Sequence, residues 1–371
     1  MTWLESVPAR IGPLDDPAMA HARARLDRLT KPPGSLGRLE TLATQLAGIT
    51  GLDLQRVERP AIVVFAGDHG VTAQGVSAYP SDVTAQMVAN FVRGGAAINV
   101  LGRLAGAEVV VVDVGVAGPI PGVGTGSPGR GARLIQSRIA DGTRDMTVEP
   151  AMTRADAVAA IDVGRFVVAE LIATGVDLVA LGEMGIGNTT AASALAAVLT
   201  GRAPADVTGR GTGLDEPAVR HKIAVIEAAI DRHRPDPSDS LGALASVGGL
   251  EIAALVGAIL GAAEAGVPVV LDGFITGAAV LVASAIAPGI AARVIASHTS
   301  AEPGHRIVLD HLGLQPLLDL ELRLGEGSGA ALALPIARAA AAILAEMATF
   351  DDAGVSGPGK AVAAQAPGSP G

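Results

Sequence analysis

Two glutamates set in glycine turns are the residues of this chain best suited to move a proton. Glu326 lies in Leu324-Gly325-Glu326-Gly327-Ser328-Gly329, between an apolar run (316–324) and an Ala/Leu/Ile-rich stretch from Ala330 to Met347 that predicts a helix. Glu183 lies in Gly182-Glu183-Met184-Gly185-Ile186-Gly187-Asn188, between the apolar run DLVAL and a helix that Asn188 or Thr189 would cap. Glycine lets the backbone approach a ligand closely, and free N–H groups at a helix start attract anions. A carboxylate there is a candidate general base beside an anion site. The plainer reading is a helix cap, since acids favour helix starts.

Other loops carry complementary chemistry. TGRGTGLD (208–215) is a glycine-rich loop before a helix containing Lys222, and a Lys near glycine amides is a phosphate-binding combination. Ser300, in His298-Thr299-Ser300-Ala301-Glu302-Pro303-Gly304-His305, and the amides after it can also bind phosphate. Tyr79, Gln86 and Met87 make a mixed aromatic, amide and thioether surface that suits a flat apolar heterocycle. At helical spacing the same residues are as readily plain core. Lys31 and Arg38, in KPPGSLGRLE (31–40), can reach an anion, or simply decorate a turn and a helix capped by Ser35.

Neither glutamate turn matches G-x-G-x-x-G or a Walker loop, so a dinucleotide or ATP site is not supported. Asp68 and His69 have the types of metal ligands but no second cluster behind them, and His298 with His305 lacks a third ligand. LDGFITGAAVL (271–281) faintly resembles a pyrophosphoribosyl-binding loop, but carries one acid, Asp272, where that loop places two. No G-x-S-x-G and no cysteine offers a nucleophile. Direct displacement assisted by a carboxylate is the simplest chemistry left.

Positioning these loops requires a sheet. Apolar runs at 60–66, 107–114, 177–181, 267–271 and 291–297 read as strands, and most end in a glycine-rich turn before a helix. Alternating strand and helix from about residue 60 to 300 predicts an α/β fold with a parallel sheet and its ligand loops on one edge. Residues 117–133 read as an irregular loop and 351–371 as a mobile tail rich in Gly, Ala, Pro and Ser. The expected division is a helical segment over 1–58, a large α/β domain over 59–312, the active-site turn and last helix over 313–350, and the tail.

The bulk composition narrows the function. The 371 residues carry a net charge of −10 without a basic run, which argues against nucleic acid as a partner. There is no cysteine, so disulfides and thiolate chemistry are excluded. One Trp, one Tyr and five Phe leave the core to Ala, Val, Leu and Ile. Apolar runs are broken before membrane-spanning length, and the N-terminus lacks a signal-peptide pattern, so a cytoplasmic enzyme is expected.

KPPGSLGRLE, FAGDHGV, YPSDVTAQMVANF with RGGAAINVL, GEMGIGNTTAASAL, TGRGTGLD, LDGFITGAAVL, SHTSAEPGH and LGEGSGAALALP, in order from Lys31 to about Ile343, resemble the nicotinate-nucleotide–dimethylbenzimidazole phosphoribosyltransferase family. The resemblance implies transfer of phosphoribose from nicotinate mononucleotide to 5,6-dimethylbenzimidazole, giving α-ribazole 5′-phosphate for cobalamin. It implies a homodimer, a Rossmann-like large domain with a small helical domain from chain-terminal segments, and no metal or other cofactor. By motif, Glu326 is the base and Glu183 shares its site. Lys222, Ser300, Gly185, Gly211, Gly273, Gly325 and Gly327 surround phosphate and ribose. Tyr79, Ser81, Gln86 and Met87 fall in the benzimidazole region. Two rival expectations stand beside it: a sugar-phosphate hydrolase on the same scaffold, and a nucleotide sensor that would not need a carboxylate at 326.

Overall fold

In the computed structural model, residues 2–53, 57–122 and 131–356 are described. Six strands form one sheet: β1 (Pro60–Gly67), β2 (Glu108–Gly115), β3 (Arg133–Gln136), β4 (Leu178–Met184), β5 (Val269–Leu271) and β6 (Val294–Ala296). All pairs are parallel, in the order β3-β2-β1-β4-β5-β6. This is the doubly wound arrangement, in which the strand order reverses between β1 and β4 and ligands bind beyond the carboxyl ends there. β3 was not expected from the sequence. It is a four-residue edge strand, too short for a periodic signal, and it follows the Gly/Pro-rich stretch that reads as loop.

The helices are α1 (Trp3–Ser6), α2 (Asp16–Leu26), α3 (Arg38–Thr50), α4 (Val83–Arg93), α5 (Ala97–Ala105), α6 (Arg154–Ala173), α7 (Asn188–Thr200) and α8 (Pro204–Val207). They continue as α9 (Glu216–His233), α10 (Ser240–Val247), α11 (Leu250–Glu264), α12 (Phe274–Ile286), α13 (Pro303–Leu312), α14 (Ser328–Glu346) and α15 (Phe350–Ala353). Successive strand residues point to opposite faces. On β1, Val63 and Phe65 join the core formed with α6, α7, α11 and α12. Ile62, Val64 and Ala66 join the core formed with α3, α4, α5 and α14. Burial on both faces explains the unbroken apolar runs.

The two ends of the chain meet. Thr30 N–H donates to the Ala348 carbonyl, Phe350 N–H to that of Arg28, and Arg25 Nε to that of Leu344 at 2.6 Å. Lys31 does not face an anion site: its Nζ pairs with Glu40 Oε1 at 2.8 Å. Arg38 is held by the Gln315 carbonyl. Ser35 is not the cap of α3, whose N-cap is Gly37, two residues later. The tail expected over 351–371 begins within α15, and 357–371 lie outside the described residues.

Candidate functional site

A cavity of about 430 Å³ opens at the carboxyl edge of the sheet, beside the β1/β4 switch. β4 delivers Glu183 to it, and the GEMGIGN turn forms its floor. Gly187 is the N-cap of α7, with φ +94°. Asn188 therefore begins the helix instead of capping it, and its Nδ2 donates to Glu183 Oε2. Beneath this turn lies a buried pair, His69 Nε2 to Glu251 Oε1 at 2.7 Å. Asp68 Oδ2 accepts the Ala117 N–H at 2.8 Å. The GDHG loop thus supports the floor without lining the cavity. Among the described residues, no group of three His, Asp or Glu comes together to hold a metal.

Glu326 arrives from a different direction. After β6 the chain returns as an extended segment that pairs with the 297–301 backbone: Leu318 N–H to the Ser297 carbonyl, Thr299 N–H to Leu318, and Ala301 N–H to Leu322. The segment ends in three left-handed residues, Gly325 (φ +82°), Glu326 (φ +64°) and Gly327 (φ +87°). The glycines adopt this freely. Glu326 does so at a cost of about 1 kcal/mol or more. Asp272, at the end of β5, holds the turn in place. Its carboxylate accepts N–H groups from Gly327 (3.0 Å), Gly329 (2.7 Å) and Ala330 (3.2 Å). The amides at the start of α14 are therefore filled by Asp272 and are not open to a ligand, contrary to the anion site expected there.

The electrostatics separate the carboxyls. Burial, then the charges of Asp272 and Glu251, push Glu183 up to about 8. Burial pushes Glu326 up to about 7 against an opposing hydrogen bond from the Ile98 backbone. Burial raises Asp272 to about 7 in spite of its three amide donors. Near neutral pH, Glu326 gives up its proton before Glu183. Glu326 Oε2 is buried and has no hydrogen-bond partner.

At the other end of the cavity, Lys222 is fully buried, and burial lowers it to about 8. Its Nζ donates to Thr189 Oγ1 at 2.7 Å, so it stands behind the Thr189–Gly211 wall. Glu302 Oε1 accepts the Gly211 N–H at 2.9 Å. Ser300 lines the cavity, and its N–H donates to His305 Nδ1, an imidazole that burial depresses to about 3. Apolar walls come from Val83, Met87, Ile186, Phe274 and Leu324, with Tyr79 half open at the mouth.

Glu183, Glu326, Ser300, Gly185, Gly211, Gly273, Gly325, Tyr79 and Met87 all line this one cavity. Ser81 and Gln86 do not. α4 starts at Val83, so Val83 and Met87 share the inward face while Gln86 points to solvent. The Ser81 carbonyl accepts the Thr84 N–H in the turn before the helix. Gly327 also stands off the wall, packed on Ile62 and Ile98 with its N–H given to Asp272. Sequence reasoning passed over Asn188 and Thr189 as ligand-facing side chains, and over Glu302 and Arg323. Each lies two to four residues from a site residue that the sequence singles out. It weighed Asp272 only as a ribose-binding acid.

The sequence profile of a family described as phosphoribosyltransferase matches residues 11–355. The nicotinate-nucleotide–dimethylbenzimidazole phosphoribosyltransferase of Chloroflexus aggregans is 56% identical over 356 residues, covering 96% of this chain and 99% of that one. The enzyme of the same name from Salinispora tropica is 53% identical over 360 residues, covering 95% and 99%. The chain belongs to the nicotinate-nucleotide–dimethylbenzimidazole phosphoribosyltransferase family. Among solved structures, CobT from Thermus thermophilus superposes with a TM-score of 0.86 at 49% identity, over 92% of this chain and 99% of that one. The family's six-stranded parallel sheet flanked by helices is thus the fold expected from the motifs.

Proposed function

We propose that this chain transfers the 5-phosphoribosyl group of nicotinate mononucleotide to 5,6-dimethylbenzimidazole, releasing nicotinate and forming α-ribazole 5′-phosphate for cobalamin. The observation that carries the reading is Glu326 Oε2, a buried carboxylate oxygen with no protein partner on the wall of a cavity that is apolar near Met87 and Phe274. One benzimidazole nitrogen attacks C1′ of the ribose. The C1′–pyridinium bond breaks, and its electron pair neutralises the nicotinate ring nitrogen. The proton on the other benzimidazole nitrogen passes to Glu326. Attack opposite the leaving group turns a β- into an α-glycosidic bond. A positioned base of this kind contributes about 10²–10⁴-fold.

Glu183, mostly protonated near neutral pH and held by Asn188, orders the ribose and nicotinate side of the cavity. Ser300 and the backbone at Gly185 and Gly273 receive the phosphate and ribose beside Gly211, with the Lys222 charge held behind Thr189. Tyr79 and Met87 flank the acceptor ring. The reading extends to a cytoplasmic homodimer, supported by Val100 and Leu104, which leave an apolar strip of α5 exposed beside α14. It also groups the meeting terminal segments, 1–58 and 313–350, against the 59–312 domain. Incubation with nicotinate mononucleotide and dimethylbenzimidazole, followed by product analysis, tests it. α-Ribazole phosphate is expected, with nicotinate released only when the benzimidazole is present. Release without acceptor would make the chain a hydrolase.

A further inference from the structure

The cavity lining offers an anionic nucleotide little positive charge. Among the described residues lining it, Glu183, Glu302 and Glu326 are acidic, and Asp272 stands just behind. Lys222 is behind the Thr189–Gly211 wall. A phosphate monoester brings a charge of about −1.5 to −2 at neutral pH, and carboxyl groups, protonated or not, offer it no positive partner, so a cation must face it. Among the described lining residues, one side chain is permanently cationic: Arg323.

Its place is specific. Arg323 lies on the extended segment beside β6, is exposed at the cavity mouth, and donates from Nη1 to the Gly211 carbonyl at 3.2 Å. Gly211 is the residue around which Thr189, Lys222 and Glu302 gather, where the proposed function puts the phosphate. A Cβ built there would lie 2.9 Å from Thr189 Oγ1 and 3.2 Å from Lys222 Nζ. The Gly211 carbonyl occupies one of five guanidinium N–H donors, and the planar fork matches two phosphate oxygens.

We propose that Arg323 is the specificity-determining cation for the 5′-phosphate of the nucleotide, closing over it from the mouth while Lys222 stands behind. The proposal rests on the function given above. Its bond to Gly211 keeps the guanidinium within reach before the nucleotide arrives. Binding then adds phosphate oxygens to donors that otherwise face water.

Calorimetric binding of three ligands to wild type, Arg323→Ala, Arg323→Gln and Arg323→Lys decides the matter. The ligands are nicotinate mononucleotide, nicotinate riboside (no phosphate) and nicotinamide mononucleotide (no ring carboxylate). A charge-assisted hydrogen bond corresponds to about a tenfold to hundredfold loss of affinity. That loss is expected for both mononucleotides in the Ala and Gln variants and partly restored by Lys. The riboside should bind all four proteins equally. An equal loss for the riboside would mean that Arg323 only ties the Gly211 loop, and overturns the proposal. A loss confined to nicotinate-bearing ligands would assign Arg323 to the ring carboxylate, and overturns it too. Unchanged affinity for the mononucleotide does the same. If wild type binds the mononucleotide but makes no α-ribazole phosphate, the proposed reaction fails while these binding comparisons still judge Arg323.

Discussion

The main-chain N–H of Glu326 donates to the main-chain carbonyl of Glu183 at 3.2 Å. One hydrogen bond therefore joins the two glycine turns, and the position of each acid depends on the other's backbone. The fit is close. A Cβ at Gly182 would overlap the Gly327 nitrogen. Gly182→Ala must push the Glu326 turn away from β4. Misplacing a reacting group by about 1 Å can cost about 10²-fold. A drop of that order in kcat is expected for the variant, with near-unchanged affinity for the mononucleotide. Wild-type kcat would show that the turn shifts without consequence.

Glu326→Gln keeps the shape of the base and removes its ability to take a proton. Nucleotide affinity should stay within about twofold while kcat falls by about 10²–10⁴-fold, the worth of a general base. Calorimetry on the variant, beside steady-state rates, separates the two quantities. Near wild-type turnover would remove Glu326 from the mechanism.

The pH dependence of kcat/KM follows from two groups. In the proposed reaction Glu326, raised to about 7, must be ionised to act, so activity is expected to rise with pH through about 7. In the same reading Lys222, lowered to about 8, must be protonated to attract phosphate, so activity is expected to fall above about 8. Since kcat/KM reports the free enzyme, a narrow bell is expected for the mononucleotide. Lys222→Met should remove the falling limb and leave the rising one. A falling limb unchanged in that variant would assign it to another group.

Glu183 has a stability cost with a defined pH window. Its folded value of about 8 lies above the ordinary 4.5. Between these, the unfolded chain ionises while the folded one keeps its proton, so stability falls as pH rises through the window. Glu183→Gln removes this loss. Its Tm should match or exceed wild type at about pH 8.5, by about 2 °C or more, with a smaller advantage at about pH 5. Thermal melts at the two pH values measure it, and a gain confined to the acid end would contradict the assignment.

Five of the six strands and both glutamate turns were legible in the sequence because their signals are local. Apolar runs such as PAIVVFAG mark doubly buried strands, and glycines on either side of a lone acid mark the turns. The role of Asp272 was not legible. Its partners Gly327, Gly329 and Ala330 lie more than fifty residues away, and no local pattern links a strand-end acid to another helix's amides. Gln86 and Ser81 show a different limit. Composition marked the region, but the helix phase, set by where α4 begins, decides which side chains face inward. Arg323 sits next to a recognised motif and reads as an ordinary surface arginine until its bond to Gly211 is seen.

The three amides at the start of α14 would, if vacant, make a receptor for any small anion. Asp272 fills that receptor with a tethered group at the end nearest Glu326. The nucleotide carries two anionic ends, and a cavity with two receptors would accept it either way round. With that receptor permanently occupied, the proposed function leaves the phosphate a single berth at the Gly211 end, and the molecule a single polarity. In that reading C1′ is presented toward Glu326, and inorganic phosphate finds those amides already taken. On that reading Asp272, by occupying three amides, sets which way the substrate faces.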